Sequence, residues 1–393
     1  MNLKSAMAVG AAFGILGLGS AFATFARVES MGKNTTYIMD DVSIFDNPAN
    51  VNLYPNYLIG EFGLYNENVQ VGENMDPQHP NFGGIFSLGL GKGEYPDPRL
   101  TIGGLFGRMD SELGRFLPTN VILPNGNTSE VPETVTNFDG FLGGTLANGN
   151  ALGLHIFLAH QDGGRQVSDG SYQPDYSAYA SVVRADGGIN WQLGSNADLE
   201  LAFGLARIQY GNEHKNFFDD GDFSYLGKAR AFFSLEALDG ELVPALSAHF
   251  IQAPGIEDIR AQVGVGINVA LDRGFFWLGV DFIWNKMEAG NWSFNHETGE
   301  TTYDASAERD YRDEKEEIGG QISFGIERNI WWDWFVIRVG GKKSILYTDC
   351  DRHWANAGKT DGLCPTDGNY FSTNPLGNGT ADDHVGFGFG INI

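Results

Sequence analysis

The segment "IRAQVGVGINVAL" alternates with period two. Ile259, Ala261, Val263, Val265, Ile267, Val269 and Leu271 fall on one side, and Arg260, Gln262, Gly264, Gly266 and Asn268 on the other. Successive side chains of a strand point to opposite faces, so this is a strand with one apolar face and one small or polar face. The chain closes on the same pattern in "DHVGFGFGINI", where Val385, Phe387, Phe389, Ile391 and Ile393 oppose Gly386, Gly388, Gly390 and Asn392. Fourteen such segments can be traced, at about 57–66, 82–91, 100–108, 137–147, 151–160, 176–193, 197–211, 222–237, 242–252, 259–271, 274–287, 316–329, 331–346 and 383–393. Each is long enough to cross a hydrocarbon layer as a tilted strand, which takes roughly 9–11 residues.

The connections sort by length. Tight ones stand at 148–150, 194–196, 238–241, 272–273 and near Ile330, and longer ones at 67–81, 161–175, 212–221, 253–258, 288–315 and 347–382. A soluble sandwich has no reason to sort its turns in this way. A transmembrane β-barrel does, with short periplasmic turns, long extracellular loops and an even strand count. Closure also leaves no backbone edge unpaired in lipid. The expected fold is therefore an all-β, 14-stranded antiparallel transmembrane barrel in a bacterial outer membrane, with lipid around it and the barrel assembly machinery as a partner. By parity His155, Glu200, Lys228, Arg230, Glu236, Arg260, Gln262, Asp281, Gln321, Arg338 and Lys342 face inward. Trp277, Trp284, Trp331, Trp332 and Trp334, near strand ends, would form an interfacial aromatic girdle. Assembly signals of such barrels usually end in an aromatic. This chain ends in Ile393, leaving Phe389 or a further C-terminal piece to fill that role.

Composition agrees with such a barrel. Glycine, at 54 of 393 residues, is about twice the usual share of roughly 7%. The formal net charge of −25 argues against nucleic acid, whose phosphates need a basic face. Lys4, an apolar run and Ala21-Phe22-Ala23 read as a signal peptide over 1–23, removed after Ala23. The two cysteines, Cys350 and Cys364, share one polar segment, and in an exported protein an even count favours a disulfide over free thiols.

Residues 24–56 precede the first strand. Their core, "SMGKNTTYIMDDVSIFDNPANVNLYPN", is polar and rich in Asn and Asp, and reads as neither helix nor strand. It could lie in the periplasm or inside the barrel, where it would bond a charged wall as a plug. Pro48 biases Asn47 away from helix, and Asn47 can bond its own backbone to set a turn. Asp40 and Asp41 would pair with inward Arg or Lys. Met31-Gly32, Asp40-Asp41 and Asn47-Pro48-Ala49 resemble, in order and spacing, the N-terminal hatch of FadL-type outer-membrane channels. The resemblance covers about 25 residues. It implies a fourteen-stranded barrel over 57–393, a hatch over 24–56, and passive uptake of a hydrophobic small molecule such as a long-chain fatty acid or a hydrocarbon. It also implies a lateral gate in the third strand, which here falls on Gly103 and Gly104. Related barrels of the same superfamily, including PorV-like proteins, assist secretion instead, so a non-transporting structural or secretion-associated barrel is the second reading.

No G-x-S-x-G, H-E-x-x-H, P-loop or C-x-x-C occurs, and the eight His are scattered. The expectation is no enzyme, no cofactor and no resident metal. His155 and His249 lie within strands and read as satisfied wall residues. Asp349, Asp351, Asp361 and Asp367 are oxygen-rich, yet lack EF-hand spacing, and read as a solvated loop.

Overall fold

The computed structural model describes residues 27–61 apart from 29 and 33, 81–90, 98–108, 110, 113, 116–117, 120–122, 128–131, 136–146, 148–168, 171–212, 215–216, 223–253, 255–294, 301–304, 311–330, 335–355 and 384–391. The expected cleavage site, Cys364, Asp361, Asp367, Trp331, Trp332 and Trp334 lie outside these residues, as do the side chains of Asp349, Cys350 and Asp351.

The fold is all-β, one antiparallel sheet in which fourteen strands pair in chain order. These are β1 (Tyr57–Glu61), β2 (Asn81–Gly89), β3 (Arg99–Phe106), β4 (Thr136–Thr145), β5 (Ala151–Ser168), β6 (Ser171–Gln192) and β7 (Ala197–Asn212), then β8 (Ser224–Leu235), β9 (Gly240–Ala253), β10 (Ile256–Leu271), β11 (Gly274–Gly290), β12 (Tyr311–Asn329), β13 (Phe335–Ala355) and β14 (His384–Ile391). Each expected segment contains a strand among the described residues. The tight turns take the left-handed backbone that short reversals demand, at Gly149 (φ 85), Asp239 (φ 46) and Arg273 (φ 65).

Two expected long connections shrink. Residues 161–175 are mostly strand, because β5 and β6 run on as a hairpin to Ser168 and Ser171, with register shifts around Gly164. Glycine there relieves the pleat where an extra residue must be absorbed. Residues 253–258 likewise reduce to a two-residue link with Gly255 at φ 64. Backbone pairing overrode polar composition in both places. Within the charge run 304–317, the residues from Tyr311 on are strand.

The two faces differ as the alternation requires. Along β5, Ala151, Gly153, His155, Phe157 and Ala159 are covered, while Leu152, Leu154, Ile156 and Leu158 are 44–57% exposed. Phe82, Phe86, Phe203, Phe282 and Phe387 are exposed on the same outer face.

Residues 27–54 lie against the covered face. Ser43–Asp46 forms a single helical turn and Pro48–Leu53 a 3-10 helix, so the segment has local structure that its composition did not announce. Ile44 and Val51 pack with Ile59 of β1, Ile85 of β2, Leu105 of β3 and Phe141 of β4. Ser30 sits where a Cβ on Gly388 of β14 would be. The first and last strands thus both meet this one short segment.

Candidate functional site

Reading β5 from its start gives three levels along the covered face, spaced about 6.8 Å by the two-residue repeat of a strand. Gly153 comes first, His155 second, and Phe157 with Ala159 third.

The first level belongs to the N-terminal segment. Asn47 is extended at φ −141 and ψ 108, and its Oδ1 accepts from Ala49 N at 3.1 Å, capping the 3-10 helix that Pro48 opens. This is the turn expected from Asn-Pro-Ala, since Pro fits the first helical position and Asn caps it. The cap is also fastened to the wall, because Asn47 Nδ2 donates to Asn190 Oδ1 at 2.6 Å. Ala49 is fully buried over Gly153, where a Cβ would overlap Pro48 and Ala49 backbone. Further round, the Tyr37 ring fills the space that side chains on Gly264, Gly266 and Gly279 would take. Met31 backbone does the same above Gly340, and Gly32, at φ 91, lies backbone to backbone on Gly341. Inward glycines therefore let the chain approach the wall, which explains much of the glycine excess.

Polar bonds then lock the segment. Arg230 of β8 pairs with Glu200 of β7 at 2.6 Å and donates to the carbonyls of Thr35, Thr36 and Ile38 at 3.0, 3.3 and 3.0 Å. Lys228 reaches Asp46 at 2.6 Å. The Tyr37 hydroxyl bonds Asp281 of β11. Asp40 does not find a wall cation as expected. Its partner is Arg27 of the same segment, at 2.9 Å, and Arg27 also bonds Glu327 at 2.8 Å, which Arg338 holds at 2.6 Å. Asp41 accepts from the Tyr57 hydroxyl of β1. Burial first, and then the neighbouring Asp40 carboxylate, push the Asp41 carboxyl up to about 8.

Two inward or girdle expectations are corrected. Glu236 has inward parity, but it opens the exposed turn Glu236–Leu238, where the strand has already ended. Trp277 is wholly buried on the covered face, its ring centroid 6.2 Å from that of Tyr37. Its aromatic surface packs the N-terminal segment, and parity outweighs nearness to the strand end. Trp284, by contrast, has outer parity and donates to Glu316 at 3.2 Å. His155 and His249 are satisfied, as expected.

The second level is a buried ion network. His155 Nε2 and Nδ1 lie 2.8 Å from Asp139 and 2.8 Å from Asp186. Arg108 grips Asp139 at 2.5 Å, and Arg184 joins Asp186 at 2.8 Å to Asp110 at 3.1 Å. Phe45 of the N-terminal segment lies beneath, 4.1 Å under the Arg108 guanidinium.

The third level is apolar. Phe157, Ala159, Val182, Ala206, Ile208, Leu226, Ile251, Ala253 and Ile256 form one cluster on β5 to β10. Leu113 and Phe116, from the connection between β3 and β4, are buried within it. These residues were missed by a rule that made the covered side small or polar. The signal was present in "IFLAH" and "SVVRA", where both parities are apolar and the alternation fades. Over this level, Asn120–Ile122 pairs in parallel with Thr301–Asp304 and antiparallel with Thr128–Glu130, which joins the end of β5. Trp292–Phe294 completes this four-stranded bridge between two distant connections.

Gly103 and Gly104 stand in regular ladders, opposite Ile85 and Gly84 of β2 and Phe141 and Gly140 of β4, with continuous register through both. Gly103 faces inward beside Ile85, and Gly104 outward beside Phe138. No group of three or more potential metal ligands occurs among the described residues. No protein-family profile matches the chain, and no characterised protein matches it significantly, so the likeness to FadL-type channels rests on the residues quoted above.

Proposed function

We propose that the sheet closes into a fourteen-stranded outer-membrane barrel, that residues 24–56 plug it, and that it carries hydrophobic small molecules passively inward. Closure is supported by the contact of β1 and β14 with the same short segment. The outer face supports a lipid setting. A contiguous apolar surface of this extent marks a membrane or partner surface rather than a wetted one. Inward arginines turned to the bilayer centre would each cost about 2–4 kcal/mol.

The observation that carries transport, rather than a purely structural barrel, is the third level. A barrel built only for stability or for polar solutes has no use for nine apolar inward positions above a polar plug. They provide a place where an apolar molecule can leave water before the plug moves. The secretion-associated reading has no such observation in its favour.

The test is uptake by bacteria that lack their own hydrophobic-compound channels and express this chain. Heat-modifiable migration of the outer-membrane fraction first establishes a folded barrel. Labelled hexadecane or hexadecanol should then enter faster than in vector controls. A folded, inserted chain that accelerates neither would leave the non-transporting reading.

A further inference from the structure

We infer that the apolar chamber selects uncharged ligands and rejects ionised acids, and that Leu113 and Phe116 occupy the ligand's place in this conformation. The inference rests on the transport reading and narrows its cargo.

Charge at the borders of the chamber is the basis. On one side Arg108 and Arg184 are bound by Asp139, Asp110 and Asp186, with His155 between two of these carboxylates. On the other side His249 lies 2.9 Å from Asp258, which is itself buried. With Arg260 of β10, opposite His249 in the ladder and also inward, three guanidiniums face four carboxylates, a sum of −1 with both imidazoles neutral. An incoming carboxylate would have to leave water and take a guanidinium from a buried partner. Breaking such a pair strands a charge, which costs far more than the new pair returns. An uncharged molecule meets only the apolar wall.

The wall is already in use. Leu113 is fully buried and Phe116 is 3% exposed, both against residues of the sheet. Asp110 holds them there by accepting from Leu113 N at 3.2 Å while bound to Arg184, and Phe116 N donates to Leu113 O at 3.1 Å. One aliphatic and one aromatic side chain, from a connection rather than a strand, show the shape and chemistry of what the wall accepts.

The experiment compares 1-naphthalenemethanol with 1-naphthoate, the same ring without and with a charge, at pH 8. Binding to the purified full-length chain is read by equilibrium dialysis against blank detergent micelles. The alcohol should bind saturably, and the acid about tenfold or more weakly, the scale expected when a buried charge goes unpaired. Asp110→Asn removes one carboxylate charge but keeps the acceptor for Leu113 N, and should shrink that ratio several-fold by improving acid binding alone. Ala206→Trp fills the chamber and should abolish saturable binding of both while heat-modifiable migration persists.

Naphthoate binding as tightly as the alcohol overturns the selectivity and leaves transport standing. A ratio unmoved by Asp110→Asn overturns the charge argument, and binding that survives Ala206→Trp overturns the chamber as the site. No saturable binding of either probe to the folded native chain overturns the transport reading as well.

Discussion

Two parts of the chain sit on the covered face, and they are held in different ways. Residues 30–54 are locked by many directional bonds, with Arg230, Lys228, Asp281 and Asn190 each supplying a specific partner. Leu113 and Phe116 are held mainly by apolar contact and by one aspartate on Arg184. Hydrogen-bonded ion pairs specify one arrangement and resist partial release, whereas apolar packing is non-directional and accepts a substitute of similar size. The lower filling therefore behaves as a fixed fitting, and the upper one as something a ligand can replace.

One way to break this contrast is to remove the space the lower filling uses. Gly279→Leu puts a side chain where the Tyr37 ring lies. Overpacking a well-fitted site typically costs about 1–3 kcal/mol, occasionally more, and backbone on this wall has little room to yield. The N-terminal segment should become open to protease in the folded variant, while the native chain protects it.

Next comes the latch. Arg230→Met frees three carbonyls of the segment and leaves Glu200 buried with Asn50 but no cation, and breaking such a buried pair costs about 3–5 kcal/mol. Hydrogen exchange at 35–38 should rise accordingly, with strand amides unchanged.

A smaller effect is expected above. Leu113→Ala or Phe116→Ala should loosen only the β3–β4 connection, by about 2–4 kcal/mol. Combined with Arg230→Met, the losses should add within about 0.5 kcal/mol if the two fillings are independent. Coupling beyond that, read in the same exchange experiment, would show that the upper filling is tied to the lower.

A reversible lever is pH. Asp41 stands at about 8 when docked, against about 3.9 when free in water. The docked state therefore holds an extra proton between those values, and its stability falls as pH rises from about 4 to 8 and levels off above. Protease sensitivity of the segment should increase from pH 5 to pH 8.5, and Asp41→Asn should flatten the profile.

The strands were legible because the alternation is a local, period-two signal, and each of the fourteen expected segments contains a strand among the described residues. Strand lengths were less so, since the β5–β6 hairpin is fixed by pairing between two polar runs that no single run reveals. Asn47-Pro48-Ala49 could be read as a turn from the chemistry of its own residues. The partner of Asp40 could not, because Arg27 becomes a neighbour only through the path of the folded segment. Trp277 was misplaced by its position in the strand although its parity pointed inward. Leu113 and Phe116 lie in an aperiodic connection, and nothing local announces that such a stretch turns inward.

We propose a closed channel stopped by its own N-terminal segment. Planar-bilayer conductance of the native chain, set beside the chain lacking 24–56, tests it most directly. A plugged channel is silent as the native protein and conducts steadily after truncation. Equal silence in both, with the truncated chain inserted and heat-modifiable, would contradict it and leave a sealed barrel.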